Sequence, residues 1–234
     1  MQHPSNQGAA DILIPVRNHY AYTRTLLEGI YRYTDHPFHI YVIDNASTDE
    51  TVDLHKIYTH NITIVRNRRS RGWSGAINQG IQMGSNPYLV FMNNDVELAQ
   101  GWLRNMIAFL DTHPRIAAVG PLDSNKHHWQ CVDRVREKMV PQIPHFFTEN
   151  IHERNRILQY HFQRTGILVE KTLAFFCTVL TRRAVNDAGP LEDVNADIED
   201  AVYCRKLRKA GYVLGLTLDT YVIHHAIAHK GRVS

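Results

Sequence analysis

Short apolar runs alternate with segments of helical spacing through the first half of the chain. The runs have the length of β-strands and lie at residues 11–16, 38–43, 62–65, 87–92 and 116–119. Gly120 and Pro121 close the last of them, and Ser47 with Glu50 forms a capping box for a helix through Tyr58. Apolar residues three or four positions apart predict further helices at residues 23–33, 75–83 and 98–110. Strands that alternate with helices predict an α/β fold with a mainly parallel sheet.

The second half of the chain is less regular. Residues 122–148 are rich in proline, histidine and charge, which predicts a loop with at most short elements. The pattern beyond it predicts helices at 151–163 and 197–210, a short helix from residue 183, and strands at 173–180, 212–216 and 220–223. Gly211 is expected to be the C-cap of the last helix. Because the sequence shows neither a linker nor an internal repeat, we expect one domain over residues 1–234.

Polar side chains follow four of the predicted strands at the point where each strand ends. They are Arg17 and Asn18, Asp44 and Asn45, Asn67 and Arg68, and Asn93, Asn94 and Asp95. In open α/β sheets, ligands bind at the carboxyl ends of parallel strands, which meet at one edge. The sequence therefore predicts a polar pocket along that edge.

The segment Asn93, Asn94 and Asp95 is the most informative of these strand ends. Oxygen-bearing side chains at the end of an apolar strand must be solvated, paired or bound to a metal. Such donors suit Mg²⁺ or Mn²⁺, which also take phosphate oxygens as ligands. The alternative is a polar turn that caps the next helix.

Three other segments carry candidate chemistry, each with a simpler structural interpretation. Asp44 can accept hydrogen bonds from a base or a ribose, or it can cap a helix together with Ser47. The arginines at residues 66–71 precede a glycine-rich helix start that suits phosphate, although a solvated basic loop is the favoured interpretation of that segment alone. Glu199 and Asp200 fall in a first helical turn, where acids are common, and a carboxylate there could also be a general base.

Composition narrows the classes of function. The chain carries 26 basic and 23 acidic residues, a net charge of +3 that is too small to favour nucleic acid as the main partner. No apolar run approaches the length of about 20 residues that spans a bilayer, so we expect a soluble protein without a transmembrane segment, compatible with peripheral association at a membrane. The odd number of cysteines, Cys131, Cys177 and Cys204, predicts reduced thiols and a cytoplasmic setting.

Each of these motifs is a weak signal alone, but their order along the chain resembles that of the motifs of glycosyltransferase family 2. The segments that carry the resemblance lie at residues 14–18, 42–49, 67–80, 91–95 and 199–212. The resemblance is nearest to the rhamnosyltransferase-like bacterial members and covers about residues 11–225. It implies the GT-A fold, a Rossmann-like nucleotide-diphospho-sugar transferase fold. It also implies a nucleotide-sugar-binding half at about 11–120 and an acceptor-side half at about 121–225.

The resemblance implies roles for individual residues. Asp95 matches the carboxylate of the family's Asp-x-Asp motif that binds Mn²⁺ or Mg²⁺, and His224 matches a late histidine that is a further metal ligand in some members. Asp200 matches the catalytic base, and residues 175–178 match a segment on the acceptor side. The residues that the resemblance places at the nucleotide-sugar are Pro15, Val16, Asn18, Asp44, Asn67, Arg71, Gly72, Asn78, Asn93, Asn94 and Glu199.

The function implied is an inverting, metal-dependent transfer of sugar in glycan or polysaccharide biosynthesis. The donor would be a nucleoside diphosphate-sugar, with UDP and dTDP favoured. The acceptor would be a hydroxyl of a glycan, a lipid-linked molecule or another compound. Nucleic acid is not an expected partner, because the arginines of residues 66–71 stand in an otherwise nearly neutral chain.

Three departures from the family pattern keep an alternative open. Asn93 replaces the first acid of the metal motif, Val202 stands where a second acid often follows the Glu-Asp pair, and residues 225–232, which include His229, replace glycines and serine. Asn93 and Val202 suit a non-catalytic sugar-nucleotide-binding domain, whereas the third departure concerns the contacts to the pyrophosphate. A sugar-phosphate nucleotidyltransferase is the other alternative, although residues 15–20 lack the glycine-rich loop expected of it.

Overall fold

The computed structural model describes residues 8–146 and 148–227, so His229 lies outside the described residues. The first half contains β1 Ala10–Val16, α1 Tyr20–Tyr33, β2 Phe38–Asp44, a 3₁₀ turn Glu50–Asp53, α2 Leu54–Ile57, β3 Ile62–Arg66, α3 Gly72–Met83, β4 Tyr88–Met92, β5 Val96–Glu97, α4 Trp102–Thr112 and β6 Ile116–Asp123. The second half contains α5 Val132–Lys138, α6 Ile151–Phe162, β7 Gly166–Val169, β8 Cys177–Thr181, α7 Arg182–Ala188, α8 Glu199–Lys209 and β9 Val213–His224. No helix within these described ranges is long and apolar enough to cross a membrane.

The strands form a mixed sheet in the order β3-β2-β1-β4-β8-β6-β9-β5, with β7 paired to β9. Strands β3, β2, β1 and β4 are parallel, and β8 lies antiparallel between β4 and β6. β9 is parallel to β6 and antiparallel to β5 and β7. The predicted α/β class is therefore confirmed, but the parallel part is limited to the first four strands and the β6–β9 pair.

The parallel register brings the predicted polar strand ends to one edge. Asp44 pairs with Val16 on one side and with Arg66 on the other, so β1, β2 and β3 end together. β4 pairs with β1 in the same direction and delivers residues 93–95 to the same edge. The prediction of a shared polar edge is confirmed.

Both faces of the sheet are covered, which explains why residues 12–16 of β1 form a continuous apolar run rather than an alternating one. Ile12 and Ile14 belong to an apolar cluster that includes α1 and α4. Leu13 belongs to the opposite cluster, which includes α3 and α8. α3 comes very close to the sheet at Gly80, where an added Cβ would lie 3.0 Å from Leu13 Cδ2.

Some local predictions were wrong. Asp49, not Ser47, caps the segment that follows β2, because its side chain accepts the Thr51 N–H at 3.1 Å. Residues 213–224 form one long strand rather than two short ones, and β7 was not predicted.

β6 does not stop at Gly120 and Pro121, as was predicted, but continues to Asp123. Its pairing with β9 shifts register between Gly120 and Leu122, and such an irregularity accommodates a proline that cannot donate to a ladder. The extension carries the carboxylate of Asp123 to the polar region of the sheet.

Candidate active site

The loops after β1 and β2 hold each other in place at the polar edge. Asn18 N–H donates to Ser47 Oγ at 2.8 Å, and Thr48 N–H donates to Asn18 Oδ1 at 2.7 Å. Asp44 Oδ1 accepts the Ser47 N–H at 2.8 Å, while Oδ2 lies 3.6 Å from Arg66 Nη1. Asp44 Oδ2 is buried, accepts no hydrogen bond within the described ranges and faces the Arg66 guanidinium.

The loop after β3 is basic and lines an open cavity of about 770 Å³. Asn67 Nδ2 donates to Asn45 Oδ1 at 3.0 Å, and Asn45 Nδ2 donates to Gly72 O at 2.9 Å. This relay ties the loop to the start of α3, where Gly72 has a φ of 68° that favours glycine. The arginines that line the cavity are Arg66, Arg68, Arg69 and Arg71. The cavity is therefore suited to an anionic ligand.

Asn93 and Asn94 point in different directions after β4. Asn93 Oδ1 accepts the Trp73 Nε1–H at 3.2 Å, and its Nδ2 lies 3.4 Å from His224 Nε2. Asn94 is buried, and its Nδ2 donates to Thr23 Oγ1 of α1 at 2.9 Å. Asn93 thus borders the site, whereas the structure places the Asn94 amide in the scaffold.

Asp95 and His224 meet in the structure. Their Oδ1 and Nε2 atoms lie 3.4 Å apart, and the two residues are only 1% and 9% exposed. β5 pairs with β9 directly beside them, with Val96 opposite His224. Asp95 Oδ2 also accepts the Ile227 N–H at 2.9 Å. A carboxylate oxygen and an imidazole nitrogen at this spacing are suitable ligands for a divalent ion.

Asp200 lies in the first turn of α8 and is held by the segment before β8. Its Oδ2 accepts the Phe175 N–H at 3.1 Å. The next residue, Phe176, stacks on His224 with ring centroids 4.6 Å apart and accepts the Asn93 N–H through its carbonyl at 2.8 Å. The segment 175–176 therefore connects the predicted base to the predicted metal ligands. Glu199, beside Asp200, is buried.

Other residues that were predicted to contact the ligand form hydrogen bonds to the protein itself or are buried in a strand. Asn78 Nδ2 donates to Leu191 O at 2.8 Å, and Asn78 Oδ1 accepts the Leu191 N–H at 2.9 Å. Its amide thus fastens α3 to the segment before α8. Pro15 and Val16 are buried within β1, and Val16 O accepts the Asn45 N–H at 2.7 Å.

Two residues that the sequence did not single out lie beside this site. Asp123 Oδ2 is 2.8 Å from His128 Nδ1. One potential ligand atom from each of Asp123, His128 and His224 lies within 4.8 Å of the other two. A polar residue directly after an apolar run was the signal for Asp123, but Gly120 and Pro121 obscured it.

Comparison with known proteins gives a family match and several relatives. The model of glycosyl transferase family 2 matches residues 11–187. A PGL/p-HBAD biosynthesis glycosyltransferase of Mycobacterium tuberculosis is 30% identical over 106 residues, which cover 44% of this chain and 41% of that protein. A pre-mycofactocin glycosyltransferase of the same species is 23% identical over 219 residues, 89% of this chain and 41% of that protein. The chain thus spans about two fifths of the length of these curated relatives.

Solved structures share the fold. A mannosyltransferase from Pyrobaculum calidifontis, in complex with GDP-Man and Mn²⁺, has a TM-score of 0.70 and 19% identity, and the match covers 97% of this chain and 59% of that one. The structure of GalNAc-T7 with UDP, GalNAc and Mn²⁺ has a TM-score of 0.67 and 14% identity, with 95% and 44% coverage. These likenesses confirm the predicted GT-A fold.

Proposed function

The chain belongs to glycosyl transferase family 2, and from that membership we propose that it moves a sugar from a nucleoside diphosphate-sugar to an acceptor hydroxyl, with inversion at the anomeric carbon. UDP- and dTDP-sugars are the favoured donors, and a glycan or a lipid-linked molecule is the favoured acceptor. The approach of Asp95 and His224 to 3.4 Å, at the edge where ligands bind, carries this proposal.

The residues at this edge fit a divalent ion. Asp95 and His224 would hold Mn²⁺ or Mg²⁺, with oxygen atoms of the donor's diphosphate completing the ligand set. The fit rests on the Asp95 carboxylate and the His224 imidazole, which face each other and are largely shielded from water. When bound, the ion would stabilise the negative charge that develops on the departing nucleoside diphosphate.

The nucleotide would lie over the ends of β1, β2 and β3. Asp44 Oδ2, buried and without a hydrogen-bond donor among the described residues, would accept a hydroxyl of the ribose or an N–H of the base. Arg71, on the basic loop, would contribute positive charge toward the diphosphate. Asn18 and Asn67 would act indirectly. Asn18 accepts the Thr48 N–H and Asn67 donates to the Asn45 side chain, and these bonds would hold the loops after β1, β2 and β3 in place before the donor binds.

Asp200 would be the general base. Phe175 N–H orients its carboxylate from one side, and Asp200 lies in the first turn of α8, next to the segment that contacts His224. Asp200 would accept the proton of the acceptor hydroxyl while the oxygen of that hydroxyl bonds to the anomeric carbon. The bond from that carbon to the diphosphate oxygen breaks on the opposite face, which inverts the anomeric centre.

Asp200→Asn tests the assignment of the base. The variant keeps an oxygen that can accept the Phe175 N–H, but it cannot take up a proton at neutral pH. We expect donor binding to be nearly unchanged and turnover to fall by at least about 100-fold, the lower range for the loss of a general base. Asp197→Asn, an exposed acid just before α8, is the matched control and should retain full turnover. Turnover of Asp200→Asn close to that of the control would remove Asp200 as the base.

A non-catalytic sugar-nucleotide-binding domain is the second candidate. It is favoured by Asn93, whose amide leaves Asp95 as the single carboxylate of the segment 93–95. Slow release of nucleoside diphosphate from the donor with water as acceptor distinguishes the two candidates, because a binding domain gives none above the rate without protein.

A further inference from the structure

Asp123 has an unsatisfied oxygen in a fully buried position. The residue ends β6 and is 0% exposed. Its Oδ2 pairs with His128 Nδ1 at 2.8 Å, but Oδ1 receives no hydrogen bond from residues 8–146 or 148–227. A buried acceptor without a partner destabilises a fold, and more so when it is charged. The position therefore indicates a partner that these residues do not supply.

His224, a neighbour of Asp123 and His128, carries a second unsatisfied atom. It is 9% exposed, and its Nδ1 has no hydrogen-bond partner within the described residues. One ligand atom from each of Asp123, His128 and His224 lies within 4.8 Å of the others. β6 and β9 run parallel here, with Asp123 opposite Val222, so the cluster is built across two neighbouring strands.

The surrounding contacts hold this cluster in a fixed shape. Phe176 stacks on both imidazoles, with its ring centroid 5.5 Å from that of His128 and 4.6 Å from that of His224. The Asp123 N–H donates to Gln130 O at 3.1 Å, and the buried Gln130 Oε1 accepts the Ala174 N–H at 2.8 Å. The backbone hydrogen bonds fix the end of β6, and Phe176 packs against the two imidazoles, so the chain segments that carry the cluster are held in place.

We propose that Asp123, His128 and His224 bind a transition-metal ion, such as Mn²⁺ or Zn²⁺, without help from a nucleotide. Two imidazoles and one carboxylate favour ions of this class over Mg²⁺, which prefers oxygen ligands and retains water. The ion would use the carboxylate charge of Asp123 and the lone pairs of the two imidazoles. A fixed structural His-Asp pair would not explain why a second acceptor atom and the neighbouring His224 Nδ1 are left unsatisfied.

This cluster adjoins the Asp95 contact and shares His224 with it. Asp123 and His128 belong to the cluster and not to the Asp95 contact, so variants at these two positions separate the two sites. Cation binding in the absence of nucleotide also does not depend on sugar transfer. Because these variants leave Asp95 and His224 unchanged, failure of the cluster in them does not decide whether sugar transfer occurs, and loss of transfer in Asp200→Asn does not decide whether the cluster binds an ion.

The test is binding of Mn²⁺ to the purified protein without nucleotide, followed by the loss of the free-ion electron paramagnetic resonance signal. We expect one strongly bound Mn²⁺ per chain, displaced by Zn²⁺ but not by an equal concentration of Mg²⁺. His128→Gln should weaken Mn²⁺ binding by at least about tenfold, the lower range for disruption of a metal-binding shell. Asp123→Asn should weaken Mn²⁺ binding as well. A substitution at His128 is less disruptive to folding, because His128 is only half-buried and Asp123 is fully buried.

His225→Gln is the matched control. His225 is next to His224 in the chain, but its Nε2 pairs with Glu97 at 2.6 Å, and it is not one of the cluster residues. Its Mn²⁺ affinity should equal that of the unchanged protein. The proposal is overturned if the unchanged protein binds neither Mn²⁺ nor Zn²⁺ without nucleotide, or if folded His128→Gln, checked by circular dichroism, binds Mn²⁺ as tightly as the control.

Discussion

A buried ion pair at the amino end of β1 should stabilise the fold without taking part in the site. Asp11 is 0% exposed, and its Oδ2 lies 2.7 Å from Arg182 Nη2. Arg182 also donates to Asn86 O at 2.5 Å and to Ile81 O at 3.2 Å, while Asn86 donates to both carboxylate oxygens of Asp11. The pair therefore joins β1, the loop before β4 and the start of α7.

Arg182→Met removes the guanidinium but keeps much of the side-chain volume. The Asp11 carboxylate is then buried without its counter-charge, a change that costs about 3–5 kcal/mol in proteins. That loss is a large part of the total stability of an ordinary domain, about 5–15 kcal/mol. In the double variant Asp11→Asn with Arg182→Met, neither charge is buried, so we expect it to regain at least half of the loss.

Urea unfolding followed by circular dichroism measures both variants, with linear extrapolation of the unfolding free energy. The m-value should stay constant, since the surface exposed on unfolding changes little. The pair lies at the end of β1 opposite to Val16, so the folded fraction of Arg182→Met should bind donor normally. A loss under about 1 kcal/mol for Arg182→Met would refute the reasoning, because that is the range of an exposed pair. A double variant less stable than the single one would refute it as well.

Further outcomes are expected for pH, thiol reactivity and the metal motif. Burial raises the pKa of Asp219 to about 6, so the folded protein holds this proton more tightly than the unfolded chain and loses stability as pH rises from about 4 to about 6. Asp219→Asn should remove about 3 kcal/mol of that pH dependence in urea titrations. Burial raises the pKa of Cys204 to about 12, and all three buried thiols should react with a disulfide reagent only after denaturation. Asn93→Asp should tighten Mn²⁺ binding in calorimetric titrations, because it adds a carboxylate next to His224.

The parallel half of the fold could be predicted because its local signals agree with its tertiary structure. Apolar runs such as that of β1 are buried on both faces, so they stand out clearly from the amphipathic helices around them. The shared edge follows from parallel pairing alone, which is why Asp44 and Asp95 were both correctly placed on it. The antiparallel insertion of β8 between β4 and β6 has no local signal, since it depends on pairing between distant strands.

The candidate site was harder to predict at the level of single side chains. Residue type and position place Asn78 and Asn94 on the right elements, but the direction of each side chain is set by its neighbours. The Asn78 side-chain amide donates to Leu191 O, and the Asn94 side-chain amide donates to Thr23 Oγ1. Asp123 escaped prediction because Gly120 and Pro121 usually end a strand, whereas here a register shift lets β6 continue.

The central claim is that a nucleoside diphosphate-sugar binds at the Asp95 edge with a divalent ion. It is tested most directly by thermal unfolding with a panel of nucleotide sugars, with and without Mn²⁺, for the unchanged protein, Asp95→Ala and the neighbouring control Glu97→Gln. At a donor concentration of a hundred times Kd, the stabilisation should be about 2.7 kcal/mol. We predict that at least one donor stabilises the unchanged protein and the control in the presence of Mn²⁺, and that Asp95→Ala loses this effect. No stabilisation by any nucleotide sugar, or equal stabilisation of Asp95→Ala, would contradict the claim.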